Sequence, residues 1–120
     1  MNTVQVYVIK DWNKIYENNR SRELKNSSWV PIPNKLDGDG YTLIMTQKNG
    51  AAIYGAWIAL ILLASKCDVR GTLLRGNGEP HNIDSISRIT RLNVDLVEEM
   101  IDFSISKTKW LIAQKIPNIA

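Results

Sequence analysis

Cysteine, histidine and phenylalanine each occur once, as Cys67, His81 and Phe103. A single cysteine closes no internal disulfide, so the fold must stand on packing alone, and a reducing compartment fits. His81 has no second histidine or paired cysteine with which to hold zinc, and a loop or capping role is expected for it. It is also the only histidine base a serine or cysteine nucleophile could use. The longest apolar run, residues 56–64, is nine residues long, whereas a bilayer span takes about 20. The start, Met1-Asn2-Thr3-Val4-Gln5, has neither the basic nor the apolar part of a signal peptide. No glycine loop of the phosphate-binding type is present, and Gly76-Asn77-Gly78 reads as a turn. Asp37-Gly38-Asp39-Gly40 opens like a calcium loop, but its twelfth position is Lys48, where a carboxylate is required. These absences predict a cytoplasmic protein, neither an enzyme nor membrane-bound, with no cofactor and no metal.

What is present suits one ordered domain. The chain has 120 residues, 44% of them apolar and 22% charged, enough to bury a core. Val4, Val6 and Val8 alternate with Gln5 and Tyr7, a strand pattern. Residues 11–26 are polar, with Trp12, Ile15 and Tyr16 spaced for a short helix or turn. The prolines of Trp29-Val30-Pro31-Ile32-Pro33 hold that stretch extended. Residues 37–40 read as a loop, and 41–47 as another short helix. Asn49 looks like an N-cap whose side chain accepts from the first turn. The helix it opens, about Gly50 to Cys67, is apolar on nearly every face, as a central buried helix is.

Beyond it, residues 70–75 read as a short strand. Asn82 caps a short helix on which Ile83, Ile86 and Ile89 are expected to form one buried face. Residues 90–93 turn the chain into a second helix, about Val94 to Ser106. Residues 110–113 read as a closing strand, and Pro117 ends the regular structure. Two short helices joined by a tight turn form a helix-turn-helix. With the flanking strands pairing antiparallel, the expectation is an α+β fold: a winged helix-turn-helix core over 49–120, carrying a strand-and-loop extension over 1–48 within one compact domain.

The chain resembles the N-terminal winged-helix domain of phage replication-initiation proteins of the replisome-organiser type. The likeness rests on Asp11-Trp12, Arg20-Ser21-Arg22, Trp29-Val30-Pro31-Ile32-Pro33-Asn34, Asp37-Gly38, Asn49-Gly50-Ala51, Tyr54-Gly55-Ala56-Trp57, Arg70-Gly71-Thr72-Leu73 and Trp110-Leu111. The resemblance implies a part in phage DNA replication in a bacterial host, by origin binding or by recruiting helicase machinery.

Charge placement decides what such a fold can bind. The formal net charge is only +3. In a helix-turn-helix the second helix enters the major groove, yet that helix carries Asp95, Glu98, Glu99 and Asp102 and no basic residue. Phosphates flanking the groove would repel it. The basic residues lie elsewhere: Arg88 and Arg91 at the helix-turn-helix turn, Arg70 and Arg75 on the first strand, Lys107, Lys109 and Lys115 around the last, and Lys14, Arg20, Arg22 and Lys25 in the arm. The expected function is duplex DNA binding through phosphate contacts from Arg88, Arg91, Lys107, Lys109, Arg70, Arg75, Arg20 and Arg22, which set register without reading bases. The alternative is a protein-interaction or oligomerisation module that docks replication proteins, or a second copy, on Asp95, Glu98, Glu99 and Asp102. Trp12, Trp29, Trp57 and Trp110 could stack on unpaired bases. Core packing is the expectation for the set, with Trp29 the best exposed ring.

Overall fold

The long apolar segment folds as helix α4 (Gly50–Ala64), and everything else is arranged around it. The computed structural model describes residues 3–22 and 28–117, which form an α+β fold. Four helices precede or include α4: α1 (Trp12–Ile15), α2 (Asn19–Arg22), α3 (Asp39–Met45) and α4 itself. The two helices expected to form the helix-turn-helix follow as α5 (Ile83–Thr90) and α6 (Val94–Ser106). Strand β1 (Thr3–Ile9) pairs antiparallel with β2 (Leu111–Pro117), in a register running from Thr3↔Pro117 to Ile9↔Leu111.

Helix α4 packs against α3, α5 and α6, and α6 also rests on β2. Leu60 and Ile61 of α4 and Ile86, Val97 and Met100 of α5 and α6 are wholly buried where these helices meet. Apolar on every face does not mean buried on every face: Leu62 is 50% exposed, on the side its neighbours leave uncovered. The helix also ends at Ala64, three residues short of the expected Cys67.

The sheet differs from the expected wing. Residues 70–75 make only isolated bridges, and Thr72 bridges to Val8 instead of to β2. Ile9 N donates to Gly71 O at 2.8 Å, and Leu73 N donates to Tyr7 O at 2.9 Å. The two expected wing strands therefore flank β1 and are not paired with each other. Residues of the 1–48 extension pack on the core: Tyr7, Ile9, Trp12, Tyr16 and Ile44 share one cluster with α4.

Helix caps explain why the small helices begin where they do. Asn82 and Ser85 form a reciprocal capping box on α5, and the Asn93 side chain accepts from Asp95 N at 2.8 Å on α6. Asn49 does not cap α4. Its Nδ2 donates instead to Glu99 Oε1 at 2.9 Å, tying the start of α4 to α6. Ile83, Ile86 and Ile89 do not share a face. A three-residue step falls about 60° short of a full helical turn, so Ile86 is buried while Ile89 is 52% exposed.

Candidate nucleic-acid interface

The acidic face of α6 is intact. Asp95, Glu98, Glu99 and Asp102 are all exposed, and they line one shallow cleft of about 470 Å³ with Phe103 and Lys107. The opposite side of α6 holds the core residues Val97, Met100, Ile101 and Ser104. The spacing of 3, 1 and 3 buries one stripe, which leaves every carboxylate in water.

The basic residues expected to bind phosphate divide into three groups. Arg88, Arg91, Lys107 and Lys109 are exposed, as is Arg20. Arg70 is committed inside the fold: its Nε lies 3.2 Å from Glu17 Oε2, and its Nη2 donates to Ser21 O at 2.8 Å. Glu17 also accepts from Trp12 Nε1 at 2.6 Å and from Ser21 Oγ at 2.7 Å. Arg70 therefore closes a staple between α1, α2 and the Gly71 turn, a role that replaces the expected phosphate contact. Arg22 Nη2 donates to Asn13 O at 2.7 Å, so Arg20-Ser21-Arg22 presents Arg20 outward and ties its other two members back to the chain. Lys25 lies outside the described residues.

Arg75 and Arg88 meet at a cleft of about 540 Å³, which Lys66, Cys67, Asp68 and His81 also line. Arg75 Nη1 faces Glu79 Oε2 at 3.8 Å, while its Nε is buried without a partner among the described residues. Burial pushes the Cys67 thiol above its ordinary range, which makes it a poor nucleophile. His81 is buried, with Nδ1 3.0 Å from Ser85 Oγ. Burial first, then the charge of Arg75, lowers its pKa below the ordinary 6.5. The unfolded chain takes up this proton more readily than the folded one, so stability falls as pH drops below about 6.5. Thermal melts between pH 7.5 and 5 should show this loss, and His81→Gln should flatten it.

A larger concave surface lies elsewhere. A cleft of about 720 Å³ opens between the end of β1, α1, residues 31–41, α4 and the turn before β2. Lys10, Lys14, Lys35 and Lys109 stand at it, all exposed and none in an ion pair among the described residues. Asp11 and Asp39 are the acidic groups that share it. Its walls are aromatic. Tyr41 meets Tyr54 edge to face at 5.2 Å, and Trp110 packs on Trp57 at 5.3 Å with the planes tilted by 38°. Tyr41, Tyr54 and Trp110 are half-buried, whereas Tyr16 and Trp57 lie at the floor. Burial pushes the Tyr16 phenol up to about 12, so it stays protonated. Gly40 fits against the Trp110 ring so closely that a Cβ there would overlap the indole. Asp11 and Lys109 both hold the left-handed backbone, with φ 55° and 61°, a costly conformation for residues with a Cβ.

The sequence singles out Lys109 and Trp110 but does not show this grouping. Lys10, Lys35 and Tyr41 carry no linear signal, because the cleft joins segments about 100 positions apart. Among the tryptophans, Trp12 and Trp57 are core and Trp29 is 71% exposed, as expected. No group of side chains that could hold a metal ion occurs among the described residues, and none of their helices is long and apolar enough to cross a membrane. No family model, no curated protein and no solved structure matches the chain.

Proposed function

We propose that the chain is a winged-helix DNA-binding domain serving phage replication initiation, and that it grips phosphates with basic groups outside α6. The observation that carries this reading is the cleft where Lys10, Lys14, Lys35 and Lys109 stand without ion-pair partners among the described residues, beside half-buried aromatic rings. Lysines kept unpaired in this way attract phosphate and release its counterions. The winged-helix part of the reading is supported by a helix-turn-helix, α5 and α6, followed by β2. In this version of the fold, β1 at the N-terminal end fills the central sheet position between β2 and Thr72.

The test is a fluorescence-anisotropy titration of a random duplex at several salt concentrations. The affinity should be weak and should fall with salt, with a log–log slope of about −2 to −4 for two to four phosphate contacts. Absence of binding to duplex and to single strands at low salt rejects the proposal.

A second reading has its own observation. The four α6 carboxylates and Phe103 share a single cleft, which suits a basic protein surface better than DNA. Size-exclusion chromatography with light scattering, alone and with replication proteins, tests it.

A further inference from the structure

We infer that the lysine-rimmed cleft is a binding site for single-stranded nucleic acid, with bases stacking on Tyr41, Tyr54 and Trp110 and phosphates held by Lys10, Lys14, Lys35 and Lys109. This inference rests on the DNA-binding reading and narrows its ligand. Two requirements of single-strand recognition coincide here: a positive groove for the backbone, and aromatic faces for the bases. Four unpaired lysines against two aspartates leave the cleft positive. The rings are half-buried within a concave surface, and Trp110 already rests against Trp57 and Gly40, so a flat group entering the cleft meets only the part of each ring left open. A duplex keeps its bases stacked inside and presents phosphates and groove edges. An unpaired strand can turn its bases inward. Exposed Ile15 and Ile32 also line the cleft and give the sugar and base edges apolar contact.

Two further features favour a strand over a compact ligand. The cleft shares Tyr16 and Pro31 with a neighbouring cleft of about 480 Å³, which exposed Arg20 and Trp29 line. A chain-like ligand can therefore continue from one to the other. The acidic face of α6 lines neither cleft, so a single strand avoids the carboxylates that a duplex docked on the helix-turn-helix would meet. An acidic peptide would satisfy the lysines but has no use for three stacking surfaces, which is why the nucleic acid is preferred.

The experiment measures anisotropy of a labelled oligothymidylate of about 10 nucleotides, within the site sizes of single-strand binders. A duplex of equal length and a polyglutamate of equal charge are titrated at the same salt. The strand should bind at least about tenfold tighter than either and should quench tryptophan emission. Lys14→Gln with Lys35→Gln should weaken strand binding and flatten its salt slope by about 1.4, the effect of releasing two phosphates from the protein's grip. Tyr41→Ala should weaken it about 5- to 150-fold, the range for one stacked base, without changing the slope, and Tyr41→Phe should restore it. Duplex bound as tightly as the strand overturns the single-strand inference while the DNA-binding reading stands. Equal or tighter capture of polyglutamate overturns it in favour of a peptide. No binding of either nucleic acid removes both proposals. Strand binding that ignores Tyr41→Ala and the lysine pair overturns the assignment to this cleft.

Discussion

Replacing Gly71 with alanine is expected to destabilise the fold by about 2–5 kcal/mol, the sum of a left-handed backbone term of about 1–2 and an overpacking term of about 1–3. Gly71 holds φ +92°, and a Cβ there would lie 2.5 Å from both Cβ and Cγ of Trp12. Neither partner can retreat easily. Gly71 is pinned from both sides, its O accepting from Ile9 N at 2.8 Å and its N donating to Ala64 O at 3.3 Å. Trp12 is buried and held by Glu17, which Arg70 clamps in turn. Gly78 supplies the control, since it has φ +85° with nothing within 4 Å of its Cβ position. Gly78→Ala should therefore cost only the backbone term. Chemical denaturation of the two variants measures the difference directly. Equal losses would mean that the Trp12 contact gives way and the Gly71 turn is not a locked junction.

That junction also gives a packing role to two of the motifs noted in the sequence. Asp11-Trp12 and Arg70-Gly71-Thr72-Leu73 stand about 60 residues apart in the chain, yet Trp12 packs on Gly71, and Arg70 reaches the Glu17 that holds the Trp12 indole. Asn49-Gly50-Ala51 has a similar logic. A Cβ at Gly50 would strike the Ile44 carbonyl, so glycine is what lets α3 turn into α4. These motifs are packing devices, and they are legible as motifs without showing which partners they need.

Local signals are reliable where local physics sets the outcome. A segment apolar on nearly every face gives α4, and the capping asparagine Asn82 gives the start of α5, while Asn93, read only as part of a turn, proves to cap α6. Pairing across the chain is not legible. Alternation at Val4, Val6 and Val8 marks a strand but says nothing of its neighbours, so the central position of β1 has no signal. Nor does alternation show that Tyr7 and Ile9, on the other face, join the core cluster. Asn49 satisfies every rule for an N-cap, yet a carboxylate at Glu99 competes for its side chain. Arg70 looks like any basic residue until Glu17 is seen beside it. The lysine-rimmed cleft is the extreme case. Lys109 and Trp110 stand out in sequence but Lys10, Lys35 and Tyr41 do not, and only the return of the chain before β2 brings them together.

Neutralising α6 is the change expected to alter function most. The quadruple variant Asp95→Asn, Glu98→Gln, Glu99→Gln and Asp102→Asn raises the formal net charge from +3 to +7. All four carboxylates are exposed on the helix that a helix-turn-helix inserts into the major groove. Docked there, they lie within a Debye length of phosphate, about 10 Å at 0.1 M salt. If each repulsion is worth about 0.3–0.5 kcal/mol, within the range for exposed charge pairs, the four together come to about 1.2–2 kcal/mol, on the order of a tenfold change in affinity. Duplex binding should therefore tighten about tenfold at 50 mM salt, and the gain should shrink as salt rises. Stability should change little. The Glu99→Gln amide keeps an oxygen to accept from Asn49 Nδ2, and Asp95→Asn removes only the charge–dipole term of about 0.3–1 kcal/mol at the start of α6. Single-strand affinity should move less than about threefold, since the strand lies away from α6 and only the screened long-range field changes. Unchanged duplex affinity would show that α6 faces something other than DNA, and the acidic cleft would then belong to a protein partner.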